Sequence, residues 1–190
     1  MFSSAQSDTA SLRLLNDSLR HATDAEFADP EHSPLTEKDR KNFTGLPYFP
    51  FDGSYVVNAQ FKPTPDEKPF LMPTTTDRLP RYVKHGILYF ELQGQTLELS
   101  VYKNLDLSKK AGYENYYFIP FNDSTNGFET YGGGRYMDIY GPLEDTVVLD
   151  FNRAYNPYCA YNSRYSCPIP PLENRLGIPI RAGVRAWKEH

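Results

Sequence analysis

From Ser54 onward the chain alternates side-chain character with a period of two, and this constrains its fold more than any other feature. In SYVVNAQFK, Tyr55, Val57, Ala59 and Phe61 face one way and Val56, Asn58 and Gln60 the other, as in a half-buried strand. YVKHGILYFELQG and QTLELSVYK follow, with Gln93-Gly94 between them as the hairpin turn. In the second of these, Leu97, Leu99 and Val101 oppose Glu98, Ser100 and Tyr102. NYYFIPF, GRYMDIY, TVVLDFN and IPIRAGVRAW supply four more strand candidates, separated by clusters of Gly, Pro, Asn and Asp. Short strands with no helical pattern between them predict a mainly β fold, a single antiparallel β-barrel or β-sandwich domain.

The first residues follow a different period. Leu12, Leu15, Leu19 and Ala22 share one face at helical spacing, which predicts a helix over 8–22 capped by Asp8 or Ser7. Ser33-Pro34 reads as an N-cap followed by proline at the first helical position, opening a short helix to about Asn42. The expected organisation is an N-terminal helical arm over 1–44, packed on the outside of a β-rich domain over 45–190.

Charge and composition exclude several function classes. A net charge of −4 lacks the basic footprint that nucleic acid or an anionic membrane surface requires. No apolar run reaches the length of a membrane span. The opening MFSSAQSDTAS has neither a basic n-region nor an apolar h-region, so the expected location is cytoplasmic as written, or periplasmic or exported if a signal was removed. Aromatic residues make up 15 % of the chain, and ten of the 15 tyrosines lie between 113 and 165. Tyrosine buries a ring while keeping a hydroxyl for a partner, so this region should carry whatever is particular to the protein.

Within it, YNPYCAYNSRYSCPIPPLEN (155–174) holds four prolines, which forbid a helix and disfavour a central strand. A long ordered loop is expected, either capping one end of the β core or walling a pocket. Its Glu173-Asn174 pair is placed to satisfy backbone groups that no ladder reaches.

The stretches FIPFNDSTNGFETYGGGRYMDIY and LDFNRAYNPYCAYNSRYSCPIPPLENRLGIPIRAGVR closely resemble a bacterial and archaeal family of unknown function, DUF1684. The resemblance rests on Pro120-Phe121, Thr125-Asn126-Gly127, the run Glu129 to Tyr136, Asp150-Phe151-Asn152, Ala154 to Pro157, Cys167-Pro168, and Pro170-Pro171 with Glu173-Asn174. It implies membership of a family and no mechanism.

Each candidate chemistry has a structural competitor. TYGGGRY lacks the GxGxxG and GK[ST] patterns and no helix follows it, so it is no phosphate loop; its glycines suit positive φ or a bulge. Arg135 either clamps a carboxylate or phosphate of a ligand, or pairs internally with Asp138, Asp150 or Glu173. NDSTNG has Gly133 where a calcium loop needs glutamate, and reads as a side-chain-bonded turn. Cys159 and Cys167 stand eight positions apart with no histidine near in sequence, so neither a zinc site nor any other metal or cofactor is expected. The pair forms a disulfide in an oxidising compartment or two small buried thiols elsewhere.

The expected function is a binding module for a small polar, anionic or carbohydrate ligand in a tyrosine-lined pocket. Its polar and aromatic points are Arg135, Glu129, Tyr131, Tyr136, Asn156, Tyr158, Glu173 and Asn174. Two alternatives stand beside it. One is a hydrolase using two carboxylates from Glu129, Asp138, Asp150 and Glu173. The other is a structural or partner-binding protein without a pocket. The absence of histidine from 86–189 weighs against an enzyme.

Overall fold

The computed structural model describes residues 4–188. A helix, α1 (Ser4–Ala28), precedes a one-turn helix α2 (Glu37–Lys41) and seven strands: β1 (Val56–Pro63), β2 (Phe70–Leu71), β3 (Arg81–Leu92), β4 (Gln95–Asn104), β5 (Tyr116–Phe121), β6 (Arg135–Tyr140) and β7 (Thr146–Asp150). The strands form one antiparallel sheet in the order β6-β5-β4-β3-β1-β7, with the short β2 on β3. The sheet curls into a half-barrel, so β6 and β7 are its two edges although only residues 141–145 separate them. An unpaired seam therefore runs between consecutive strands.

The alternation read from the sequence sets the core. Ala59, Leu88, Leu99, Ile119 and Leu149 turn inward and are fully or almost fully buried. Gln93 and Gly94 both take positive φ, which suits the twist of a tight hairpin between β3 and β4. The register shift between Lys84 and Gly86 hands β3 from one face to the other. Tyr82 before it packs on the outer face with Tyr102, Phe118 and Tyr136, and Leu88 after it packs inside. At this end the sheet is thus covered on both faces. The outer cover is residues 155–168 of the Pro/Tyr/Asn-rich segment, which folds as turns and short 3₁₀ stretches.

Three expectations change. The segment IPIRAGVRAW (178–187) forms no strand. Ile178, Ile180 and Ala182 do alternate inward, but they plug the open side of the half-barrel without a ladder, held by scattered backbone hydrogen bonds, by the bridge between Tyr48 and Val184, and by side chains. The helix α1 outruns 8–22 in both directions, so the expected start at Ser7 or Asp8 falls inside it; it continues to Ala28 because Phe27 is buried, 5.0 Å from the ring of Tyr161. The second helix is capped by Thr36, whose hydroxyl accepts the amide of Asp39 (3.2 Å). Ser33 instead donates to the carbonyl of Phe27 (2.5 Å) and accepts the amide of Leu35, closing the turn after α1.

Candidate functional site

Arg135 begins β6 and is wholly buried. Its Nη2 donates to Asp123 Oδ2 (2.8 Å) and to the carbonyl of Ile180 (2.7 Å), and its Nη1 to the carbonyls of Ala182 and Val184. The guanidinium therefore pins the plug to the barrel with both terminal nitrogens taken; only its Nε–H lacks a partner, and the side chain is wholly buried away from solvent. Its partner is Asp123, outside the three acids expected from the sequence, because NDSTNG folds back on the plug. The other oxygen of Asp123 accepts the amide and hydroxyl of Thr125 and the amide of Ile180. Glu129 pairs with Arg181 at the surface (2.9 Å). Glu173 takes Lys84 and the hydroxyl of Tyr102. Asn174 is fully buried and inserts between β4 and β5, where the ladder has a single matched pair; it accepts from Ser100 N (2.7 Å) and donates to the carbonyls of Ser100 and Pro120. These four side chains hold the fold and lie away from the cavity described next.

That cavity, of about 820 Å³, occupies the seam between β6 and β7 and is roofed by α1. Of the residues expected in a pocket, Tyr136, Asn156 and Tyr158 line it. Its polar centre is Asp138. Alternation along β6 puts Asp138 on the outer face between Tyr136 and Tyr140, under the 155–168 cover. Tyr116 donates to one of its oxygens and Tyr155 to the other, both at 2.8 Å. Among the described residues no Lys or Arg forms an ion pair with it. Burial pushes its proton affinity up; the two tyrosine hydroxyls, and Arg153 at longer range, pull it back. Tyr116 and Tyr155 are in turn raised far above the ordinary phenol range, by burial first and then by this carboxylate.

The roof carries leucines and Arg20, with Asn16, Thr23 and Glu26 as its other polar side chains. Leu12, Leu15 and Leu19 line the cavity, and Leu15 and Leu19 keep 53 % and 37 % of their surface exposed. Asn16, buried between them, reaches Asp150 across the seam (3.5 Å). Arg20 stacks on the ring of Tyr48 (4.6 Å), and its Nε and Nη2 are buried without a hydrogen-bond partner. Burial lowers its proton affinity, and Asp17, Asp150 and Asp24 oppose that through space.

The two cysteines sit at the edge of the same cover. Cys167 lines the cavity and Cys159 lies half-buried beside it, under the hydroxyl of Tyr131 (3.7 Å). Among the described residues no three His, Cys, Asp or Glu side chains gather as a metal site would need, and no helix is long and apolar enough to cross a membrane.

Sequence reasoning named Asp138 only as one of four carboxylates for hydrolysis and as a candidate partner of Arg135, and missed Tyr116, Tyr155 and Arg20. An acid in the middle of GRYMDIY, a strand otherwise aromatic and apolar, was the signal available.

Residues 41–185 match the profile of a family described as a protein of unknown function, DUF1684. No curated protein matches the chain. Among solved structures, the solution NMR structure of an uncharacterised protein of Haloarcula marismortui superimposes with a TM-score of 0.75 at 34 % identity, over 97 % of this chain and 99 % of that one.

Proposed function

The chain belongs to the DUF1684 family, and from that premise we propose that it is a non-enzymatic binding protein for a small amphipathic amine. The ligand lies in the seam cavity, its ammonium against Asp138 and its apolar body against the leucines of α1. The observation that carries this reading is a carboxylate, desolvated in a cage of tyrosine rings, that forms no ion pair with a cation among the described residues. A buried carboxylate is costly unless something compensates it, and hydrogen bonds from two neutral hydroxyls compensate only in part. An ammonium group adds both the missing charge and cation–π contact with the surrounding rings. The volume suits a small molecule. The unpartnered N–H groups of Arg20 favour a ligand that also carries an oxygen acceptor. This replaces the polar, anionic or sugar ligand expected around Arg135, whose fork is already taken.

Calorimetric titration with octylamine and with octanoate tests the charge preference. Octylamine should bind at least tenfold tighter, and Asp138→Asn should remove that preference. Equal or tighter binding of octanoate, or an unchanged preference in Asp138→Asn, sinks the proposal.

A carboxylate hydrolase is the second reading, because Asp138 and Asp150 line one cavity. It is the weaker one. Asp150 Oδ1 accepts the amide and side chain of Asn152 and Oδ2 faces Asn16, so Asp150 already serves as the cap of the turn that follows β7.

A further inference from the structure

We propose that Cys159 and Cys167 form a reactive dithiol that small-molecule disulfides oxidise reversibly, Cys159 attacking and Cys167 closing the bridge. This stands independently of what occupies the cavity.

The argument starts from TYGGGRY. A side chain on Gly133 would collide with the ring of Tyr131, its Cβ only 2.4 Å from Cε1. Gly134 has φ +92, and a Cβ there would strike the carbonyl of Phe121 and the side chains of Asn122 and Pro170. Gly133 thus lets the Tyr131 ring lie close against the backbone two residues on, and Gly134 lets that backbone pass close to Phe121. Its hydroxyl then comes to within 3.7 Å of Cys159 Sγ. From the other side the amide of Cys159 donates to Cys167 Sγ (3.2 Å), so the backbone of one cysteine is folded onto the sulfur of the other. Cys167 is held in turn by its own amide donating to Thr75 Oγ1 (3.1 Å) and by Thr75 N donating to its carbonyl (2.9 Å). The neighbouring Cys167, with Tyr131 and Thr75, lowers Cys159 to about 6, against the opposing effect of burial. Cys167 is raised, first by the same contact. Cys159 is also the more exposed of the two, half-buried beside a buried Cys167, so it is the thiol placed to meet a disulfide first, the division of labour that thiol–disulfide exchange requires.

The chemistry balances as follows. The Cys159 thiolate attacks one sulfur of the disulfide RSSR, and RS⁻ leaves with the electron pair. Cys167 gives its proton to a leaving thiolate and attacks Cys159 Sγ, expelling the second RS⁻, which takes a proton from solvent. Two protein thiols and RSSR become one protein disulfide and two RSH. The bridge would close residues 159–167, which carry Tyr161 and Tyr165 of the cavity wall.

The test is intact-mass analysis of the full chain, first reduced with dithiothreitol and then exposed to oxidised glutathione at neutral pH. The wild type should lose two hydrogens, passing through a glutathione adduct. Cys167→Ser should stop at that adduct, located on Cys159. Cys159→Ser should react at least tenfold more slowly. Iodoacetamide labelling across pH provides the second readout. The Cys159 rate should titrate near pH 6, and Tyr131→Phe should shift that midpoint upward. A stable wild-type adduct that never closes, first attack at Cys167, or a midpoint at the ordinary thiol value would each overturn the proposal.

Discussion

Asp138 shows how the burial of one carboxylate can weigh on a fold. Its folded-state proton affinity is raised by burial, the opposite of the usual salt-bridged carboxylate. A group raised in this way contributes its stability below the unfolded-state value and loses it as pH rises through the folded-state value. The chain should therefore become less stable, from this residue alone, as pH climbs from the ordinary carboxylate range towards neutral. Asp138→Asn removes the titration and keeps the shape, since the amide can accept from one tyrosine and donate to the other. We expect the variant to melt with the wild type near pH 3 and above it near pH 7, in the window set by a carboxylate raised from its ordinary value. Parallel melting curves across that range would mean that the carboxylate carries no desolvation cost. Binding runs the other way. Octylamine stays protonated throughout, so its affinity should rise with pH as Asp138 ionises.

At the scale of elements, the half-barrel is held where its ladders stop. The β4–β5 ladder has one matched pair, and Asn174 replaces missing backbone partners with its amide. Asn174→Ala would orphan a buried N–H and two buried carbonyls, and should cost about 3 kcal/mol. Urea denaturation measures this, and a loss below about 1 kcal/mol would show that water or a shift of β5 takes over. Arg135 does the same for the plug. Arg135→Met should cost about 3–5 kcal/mol by stranding Asp123, and Asp123→Asn added to it should restore part of that loss.

These elements also show what a sequence of this kind makes legible. The six longer strands and the Gln93-Gly94 turn could be read because alternation and turn chemistry are local. The 178–187 segment alternates equally well, yet it is no strand, because a ladder needs a neighbour and nothing local records its absence. Thr36 and Ser33 both suit a helix cap, and the fold uses Thr36 for α2 and Ser33 for the turn after α1. The tyrosine concentration pointed to the right part of the chain for the cavity. The pairing of Arg135 with Asp123, and of Asp138 with Tyr116 and Tyr155, depends on how the sheet curls, which no spacing encodes.

For the molecule as a whole, the two ends of the chain complete a fold that the sheet leaves open. The plug fills the inside of the half-barrel and α1 crosses the seam outside. A helix fixed by its core contacts alone would bury its leucines there. Instead α1 is anchored at Asn16 and Phe27, while Leu15 and Leu19 face the cavity and remain partly exposed. If their role is to hold a ligand, stability and binding should separate. Leu15→Ser with Leu19→Ser should change stability by less than about 1 kcal/mol, since neither side chain is packed in the core. The same pair should weaken octylamine binding about tenfold, because apolar area buried on binding is lost at both positions. Phe27→Ala makes the contrast. It empties a packed position between α1 and Tyr161 and should cost about 3–5 kcal/mol. Its effect on binding should then follow from loosening of the roof as a unit. If the double serine variant unfolds as readily as Phe27→Ala, the leucines are core residues and the roof is structural. If it stays stable and binds less, the seam of the half-barrel is kept open by α1 for a ligand.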